Sequence, residues 1–332
     1  MIATSKEIKK ASAIIKKGGL VAFPTETVYG LGASVFNPKA VARIFEVKNR
    51  PRFDPLIVHV ANASQIKDLC RLNKTAKKLI KRFWPGPLTL VLPKTQLIPY
   101  VVTAGLATVA VRMPSHPMAQ KLIRLAGVPL AAPSANPFGY LSPTTAQQVR
   151  EQVGKKIDMV LDGGKCSVGI ESTIIGFEGN KIVLLRLGGV PVEEIEKVAG
   201  KIKMSTLAKN KPNAPGQLRG HYAPKTPLRV VKHQKIKLDR NKRAGLLAFK
   251  FPPQKGLFKK IEVLSPRGDL KEAAANFFSC LYRLDKANLD IIYAETVPNV
   301  GLGRAIMDRL GKAGTRDESK GTRKTRTRKI KR

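Results

Sequence analysis

Short apolar, β-branched runs alternate with helical stripes through residues 1–200, and that alternation restricts this part of the chain to an α/β or mixed-sheet architecture. The first stripe is Ile8, Ala11, Ile14 and Ile15, closed by Gly18 and Gly19 ahead of the run Leu20–Phe23. Asn37 before Pro38 predicts a capped helix start, with Ile44 and Phe45 on the apolar face and Lys48 near the end. Strand candidates follow at 56–60, 88–92, 108–112, 128–132, 157–161, 173–177 and 182–185. Gly, Pro, Ser and Asn concentrate between them, so the polar residues at many strand ends are expected to share one cleft.

Residues 201–227 interrupt the alternation with a polar, turn-rich stretch of linker composition that ends in His221-Tyr-Ala-Pro224. Beyond it, apolar runs at 228–231, 245–249 and 290–294 and helical stripes at 270–284 and 302–310 predict a small βαβ-type, Rossmann-like domain. The expected division is a catalytic-sized domain at 1–200, a linker at 201–227, a small domain at 228–310 and a basic tail at 311–332 that reads as disordered.

Charge sorts the candidate functions. The 332 residues include 61 Lys and Arg against 23 Asp and Glu, a net charge of +38. With 43% apolar residues the chain still has the material for a core, which excludes a disordered polycation. The tail holds ten Lys and Arg and two acidic residues, so most of the excess lies elsewhere. Such a balance favours polyanions: nucleic acid, nucleotide phosphates or an anionic membrane surface. No apolar run reaches the roughly 18 residues of a membrane span and the start is a charged helical pattern, so a soluble, cytoplasmic protein with no membrane partner is expected. Cys70, Cys166 and Cys280 are odd in number and far apart, without metal-ligand or redox spacing, and read as core residues.

Five segments carry polar chemistry. In Phe23-Pro-Thr-Glu-Thr-Val-Tyr-Gly-Leu-Gly32 the glycines let backbone approach a ligand and Thr27 can serve an amine or carboxylate, although a plain turn explains the spacing too. Lys48, Arg50 and Arg52 leave a helix end for an extended X-Pro segment, where Asp54 cannot pair with all three; the cluster suits a pyrophosphate or triphosphate, or else a solvated charge run. His59 stands on the strand face opposite Leu56, either toward the cleft or as a satisfied core histidine. Arg112 ends an alternating strand and must meet an anion, whether a substrate carboxylate or a structural salt bridge. Ser134 and Asn136 lie on a loop after a strand, and Ser142-Pro143 reads as a helix cap whose amides face a phosphate. The stretch from Asp162 to Arg186 repeats the mixture of glycines, hydroxyls and a strand-terminal Arg. HExxH, CxxC, GxSxG and GxGxxG are all absent, so zinc hydrolysis, a nucleophile elbow and dinucleotide binding lack support.

Taken in order, FPTETVYGLG, KNRPRFDPLIVH, FWPGPLTLVL, TVAVRMP, APSANPFG, GIESTI and LLRLGG resemble the YrdC-like family of L-threonylcarbamoyladenylate synthases. HYAPKTPL and the domain after it resemble the longer, two-domain form of that family. The resemblance implies a YrdC-like twisted mixed-sheet domain with a concave basic cleft, in which L-threonine, bicarbonate and ATP give threonylcarbamoyl-AMP and pyrophosphate. A separate transferase then carries the threonylcarbamoyl group to the adenosine beside the anticodon of tRNAs that read codons starting with A. Carried over position by position, Thr27, His59, Arg112 and the backbone of Ala132 look like threonine contacts, and Lys48 and Arg50 look like catalytic, phosphate-binding cations. Arg50, Asp54, Thr108, Ser134, Asn136, Ser142, Ser172, Arg186 and Tyr222 look like ATP contacts. Mg²⁺ is expected on the phosphates rather than in a dedicated metal site, and the linker motif is expected to fold over the cleft.

Asp54 departs from the family pattern, in which a neutral Asn precedes Pro-Leu, and beside phosphates it needs Arg50, Arg52 or Mg²⁺ to neutralise it. Two rival functions remain. A non-catalytic RNA-binding or ribosome-associated protein has little support from 6% aromatic residues without a stacking motif. A carbamoyl-adenylate synthase of hydrogenase maturation would carry zinc-finger-like cysteines, which three scattered ones do not supply. The positive charge left over after one nucleotide suggests affinity for tRNA or for partners that handle it.

Overall fold

A computed structural model describes residues 2–179, 181–204, 212, 214–217, 221–232, 241–251 and 256–321. Its larger part comprises α1 Ser5–Lys16, β1 Val21–Phe23, β2 Gly30–Ser34, α2 Pro38–Lys48, β3 Ile57–His59, α3 Ser64–Leu69, α4 Lys74–Phe83, β4 Leu88–Pro93, α5 Tyr100–Thr103, β5 Thr108–Arg112, α6 Pro117–Ala126, β6 Leu130–Ala131, α7 Ala146–Val153, β7 Met159–Val160, β8 Thr173–Glu178, β9 Lys181–Arg186, α8 Val192–Ala199 and β10 Ile202–Met204. The smaller part comprises β11 Leu228–Val231, β12 Ala244–Ala248, β13 Lys260–Val263, α9 Leu270–Asp285, β14 Ile291–Glu295 and α10 Leu302–Gly321. The first ten strands form one mixed sheet in the order β10-β9-β8-β4-β5-β3-β6-β2-β1-β7, and the other four form an all-parallel sheet, β11-β14-β12-β13. The expected α/β architecture is therefore present in both parts.

The two-residue period of the central strands divides core from cleft. Leu88, Leu90 and Leu92 of β4, Val109 and Val111 of β5 and Val58 of β3 enter the main core beneath the helices. The alternate residues Ile57, Val91 and Ala110 turn to the other face, where Ala214 of the linker packs on them. Along that face β3 and β5 run parallel with His59 beside Arg112. Both stand at strand ends.

Local signals of capping hold where they need no distant partner. The Asn37 side chain accepts from the Ala40 amide at 3.0 Å with Pro38 in the first turn, as the sequence predicts. Ser142-Pro143 is different: α7 begins at Ala146 with Thr145 as its cap, because the buried Ser142 hydroxyl donates instead to Glu171. Gly30 and Gly32 belong to strand β2 rather than to a turn, and Gly30 still brings its backbone to the cleft lining. The Phe23 ring lies across β2, and a Cβ at Gly32 would stand 2.7 Å from it.

The domain limits also differ from expectation. β10 lies inside the expected linker and pairs with β9. The helix predicted at 302–310 continues through Gly321, with Ala313 buried in the small-domain core, so the tail expected from 311 begins within α10. Linker residues 205–211, 213 and 218–220 and tail residues 322–332 lie outside the described residues. The two parts share a core: Val28, Tyr140 and Ile170 of the first pack with Phe277, Phe278 and Leu281 of the second. Thr144 and Ser279 share a hydroxyl–hydroxyl bond of 2.7 Å across the same boundary. Cys70, Cys166 and Cys280 are free and buried.

Gly169 tests this boundary. It has φ +73°, and a Cβ there would lie 2.5 Å from the Ala274 carbonyl and Ala275 Cα of α9, whereas Gly105, at φ +81°, has open space. Gly169→Ala is expected to cost stability by more than about 1 kcal/mol beyond Gly105→Ala, since both meet the left-handed backbone penalty and only the first also clashes. Urea denaturation of the two variants measures the difference; equal losses would mean that the domains do not meet as described.

Candidate active site

The cleft is assembled from segment ends. Thr25 and Thr27 come from the β1–β2 connection, Arg50 from beyond α2, His59, Arg112 and Arg186 from three strand ends, and Ala132, Ser134 and Asn136 from the loop after β6. Ser142, Ser172, His221 and Tyr222 complete it, so eleven of the fourteen residues singled out from the sequence line one cavity.

At one end, Arg112 is buried, and each of its three nitrogens has one partner within the protein, which leaves a second N–H on each Nη. Its Nη1 donates to Thr27 Oγ1 at 2.8 Å, its Nε to the Gly86 carbonyl at 3.2 Å, and its Nη2 pairs with Glu26 Oε1 at 2.6 Å. Of the two anions considered for Arg112, the structure contains the internal one. Glu26, whose other oxygen accepts from the Ser115 amide, was passed over in the sequence although it sits between the two threonines of the first motif. His59 is buried beside Arg112 with its Nδ1 unpaired, and the Phe23 ring meets it edge-on at 6.0 Å. Burial first, and the Arg112 charge second, push the imidazole from its ordinary 6.5 down to about 3, so it is neutral.

At the other end, the cations are also held from within. Lys48 is 1% exposed and donates to the Ser134 carbonyl at 2.6 Å and to the Asn136 carbonyl, which places it directly behind the cleft wall. Burial, with Arg50 beside it, holds its ammonium well below the usual lysine range. Arg50 pairs with Asp54 at 2.9 Å and donates to the Pro55 carbonyl at 2.8 Å, so Arg50 supplies the neutralisation that Asp54 requires. Asp54 lies beneath Arg50, off the cavity lining, and burial raises its carboxyl pKa against the opposing pull of Arg50 and Lys48. Arg186 clasps Ser172 through Nε to the carbonyl and Nη2 to the hydroxyl, both at 3.1 Å. Thr108 does not reach the site. It stands four residues from Arg112 along an extended strand, about 13 Å at 3.3 Å per residue, and lines a separate groove with Arg71 and Gly176.

Tyr222 closes the assembly from the linker. It adopts φ 65°, a left-handed backbone uncommon for a bulky residue, and its ring lies against Phe278 and over the Arg309 guanidinium at 5.2 Å. Gly216 lacks the Cβ that would stand 2.3 Å from the Tyr222 hydroxyl. The adjacent His221 Nε2 approaches Asp54 at 3.9 Å. The free space left in the cleft is about 50 Å³, room for a few waters. Among the described residues no three His, Cys, Asp or Glu side chains cluster as a metal site, and no helix is long and apolar enough to cross a membrane.

Comparison with known proteins places this geometry. Residues 13–188 match the Sua5, YciO and YrdC family described as "Telomere recombination", and residues 190–315 match "Threonylcarbamoyl-AMP synthase, C-terminal domain". The chain belongs to the two-domain Sua5/YrdC family. Within that family, the threonylcarbamoyl-AMP synthase of Pyrococcus abyssi is 46% identical over 318 residues, 92% of this chain and 94% of its own. The synthase of Bacillus subtilis is 42% identical over 322 residues, 92% of each. The crystal structure of P. abyssi Sua5 complexed with L-threonine matches with a TM-score of 0.88 at 43% identity, over 95% of this chain and 96% of that one. The Sua5/YrdC resemblance drawn from seven motifs is thereby borne out, the second domain included.

His59 has a consequence for pH. The unfolded chain binds its proton near 6.5 and the folded chain only near 3, so its contribution to stability is intact above 6.5 and declines as pH falls from 6.5 toward 3. The His59→Gln variant is expected to show a stability–pH slope shallower by up to about 1.4 kcal/mol per pH unit in that window. Denaturation series at several pH values measure it; identical slopes would mean that His59 titrates normally.

Proposed function

We propose that this protein is an L-threonylcarbamoyladenylate synthase, converting L-threonine, bicarbonate and ATP to threonylcarbamoyl-AMP and pyrophosphate. The observation that carries the proposal is the pairing, in one cleft, of a guanidinium–hydroxyl–imidazole end with a buried-cation end, in a chain whose relatives across nine-tenths of its length are threonylcarbamoyl-AMP synthases. Arg112 takes the threonine carboxylate, with Glu26 keeping the guanidinium charged and aimed. Thr27, the neutral His59 and the Ala132 backbone hold the amine and hydroxyl; an unprotonated imidazole does not repel an amine and offers it a lone pair.

Bicarbonate takes up a proton and loses water to give carbon dioxide; the threonine amine nitrogen bonds to its carbon and loses a proton, giving a carbamate. A carbamate oxygen then attacks the α-phosphorus in line as the bond to the β-phosphate oxygen breaks, and pyrophosphate leaves. No protein nucleophile is needed; positioning and positive charge supply the catalysis. Arg50 and Arg186 provide that charge, Lys48 braces the Ser134–Asn136 wall from behind, Ser134, Asn136, Ser142, Ser172 and Tyr222 position the nucleotide, and Mg²⁺ enters on the triphosphate. A cavity of about 50 Å³ is far below the several hundred a nucleotide-sized ligand occupies, so the stretch bearing Tyr222 moves aside for ATP and returns to shield the labile mixed anhydride from water. The product passes to a threonylcarbamoyl transferase acting on tRNA in the cytoplasm, and the chain's net charge of +38 favours direct tRNA contact as well.

Purified protein is expected to release pyrophosphate from ATP only when threonine and bicarbonate are both present; untouched ATP alongside tight tRNA binding would favour the RNA-binding alternative. The Arg112→Ala variant is expected to raise KM for threonine at least tenfold, the loss of a hydrogen bond to a charged group at about 1.5–3 kcal/mol, while KM for ATP stays within about twofold. Equal losses for both substrates would remove Arg112 from the threonine site.

A further inference from the structure

Helix α10 of the small domain sends one guanidinium across the domain boundary to the wall of the cleft. Arg309 is 0% exposed. Its Nε and Nη2 both donate to Glu171 Oε2, at 3.2 and 3.0 Å, and its Nη1 donates to the Leu187 carbonyl at 2.7 Å. The opposite oxygen of Glu171 accepts from Ser142 Oγ at 2.6 Å. Tyr222 lies over the same guanidinium, and one turn further along α10 Lys312 donates to the Gly216 carbonyl at 3.0 Å, next to the point where Gly216 admits the Tyr222 hydroxyl. Ser142, Glu171, Gly216 and Tyr222 all line the cavity. One helix thus holds both a wall of the cleft and the stretch that covers it.

The chemistry of the chain Arg309, Glu171, Ser142 has a direction. A serine hydroxyl has a single proton, and that of Ser142 goes to Glu171. What Ser142 presents to the cleft is lone pairs, which suit an N–H or O–H donor and not a phosphate oxygen. Glu171 can hold that proton's direction only while its own charge is answered, because a buried carboxylate without a counter-charge is strongly unfavourable.

We propose that Arg309 is a positioning residue of the ATP site: through Glu171 it fixes Ser142 as the acceptor for a donor group on the nucleoside, a ribose hydroxyl or the amino group of the base, and beneath Tyr222 it seats the covering stretch. The small domain is on this account part of the nucleotide site, acting through one side chain. The proposal rests on the synthase function proposed above, but its test does not require turnover.

ATP affinity is measured by titration calorimetry on the full-length protein and on Ser142→Ala, Arg309→Lys, Arg309→Met and the charge-neutral pair Glu171→Gln with Arg309→Met, with 2′-deoxy-ATP and purine riboside triphosphate as probes lacking the 2′-hydroxyl and the 6-amino donor respectively. The unaltered protein is expected to bind at least one of the two probes about tenfold more weakly than ATP. Ser142→Ala and Arg309→Met are expected to weaken ATP binding by about that factor, to lose the discrimination, and to add little to each other when combined. Arg309→Lys, which keeps the charge without the two-pronged grip, should recover part of the affinity. The neutral pair, which leaves no orphaned carboxylate, should melt close to the unaltered protein yet still fail to discriminate. If the neutral pair or Ser142→Ala keeps full discrimination, or if the two effects multiply independently, the proposal is overturned. A protein that binds and discriminates ATP in this way without releasing pyrophosphate would overturn the synthase function and leave the role of Arg309 standing.

Discussion

Every cation that shapes this cleft has been taken out of water, and each is answered from within the protein. Arg112 meets Glu26, Arg50 meets Asp54, Arg309 meets Glu171, Arg186 clasps Ser172, and Lys48 takes two carbonyls. Breaking one buried pair by removing a partner costs about 3–5 kcal/mol, so these contacts tie together segments as distant as residues 171 and 309. Under the proposed function, the positive charge that meets the substrates is thereby aimed before they arrive, which is what electrostatic catalysis requires. It is also why so few of the cations are free to swing.

The sheet supplies the second condition. Three strand ends deliver His59, Arg112 and Arg186 to one rim, and the period of two leaves Ile57, Val91 and Ala110 on the cleft face with the linker's Ala214 against them. A register slip of one residue would turn Arg112 into the main core and Val111 into the cleft. Parallel pairing of β3 with β5 sets His59 beside Arg112, and that neighbour lowers the imidazole's proton affinity beyond what burial alone does.

Features with local causes were legible in the sequence: the Asn37 cap, the limits of the strand at 108–112, and the motif order that points to the family. Features set by distant partners were not. Ser142 resembles a helix cap in its own neighbourhood, but its hydroxyl answers a carboxylate 29 residues away. Gly30 to Gly32 reads as a turn, whereas the Phe23 ring across β2, with Ala132 and Leu130 beside it, makes a glycine strand the better solution. Thr108 shares a motif with Arg112 in sequence, while an extended strand carries the two to opposite ends. Arg309 belongs to no motif, and its link to Glu171 spans 138 residues. Net charge located no site: the cleft's cations are paired within the protein, and the excess of +38 lies mainly outside it, including Lys74, Lys77, Lys78, Lys81 and Arg82, all exposed on α4.

The most direct test follows the carbon. Protein incubated with ¹³C-bicarbonate, L-threonine and Mg-ATP is quenched within seconds and its nucleotides are separated and weighed by mass spectrometry. The account predicts an AMP adduct bearing threonine and one ¹³C, formed in equal amount to pyrophosphate. Label absent from every nucleotide, with ADP and phosphate as the products, would contradict it.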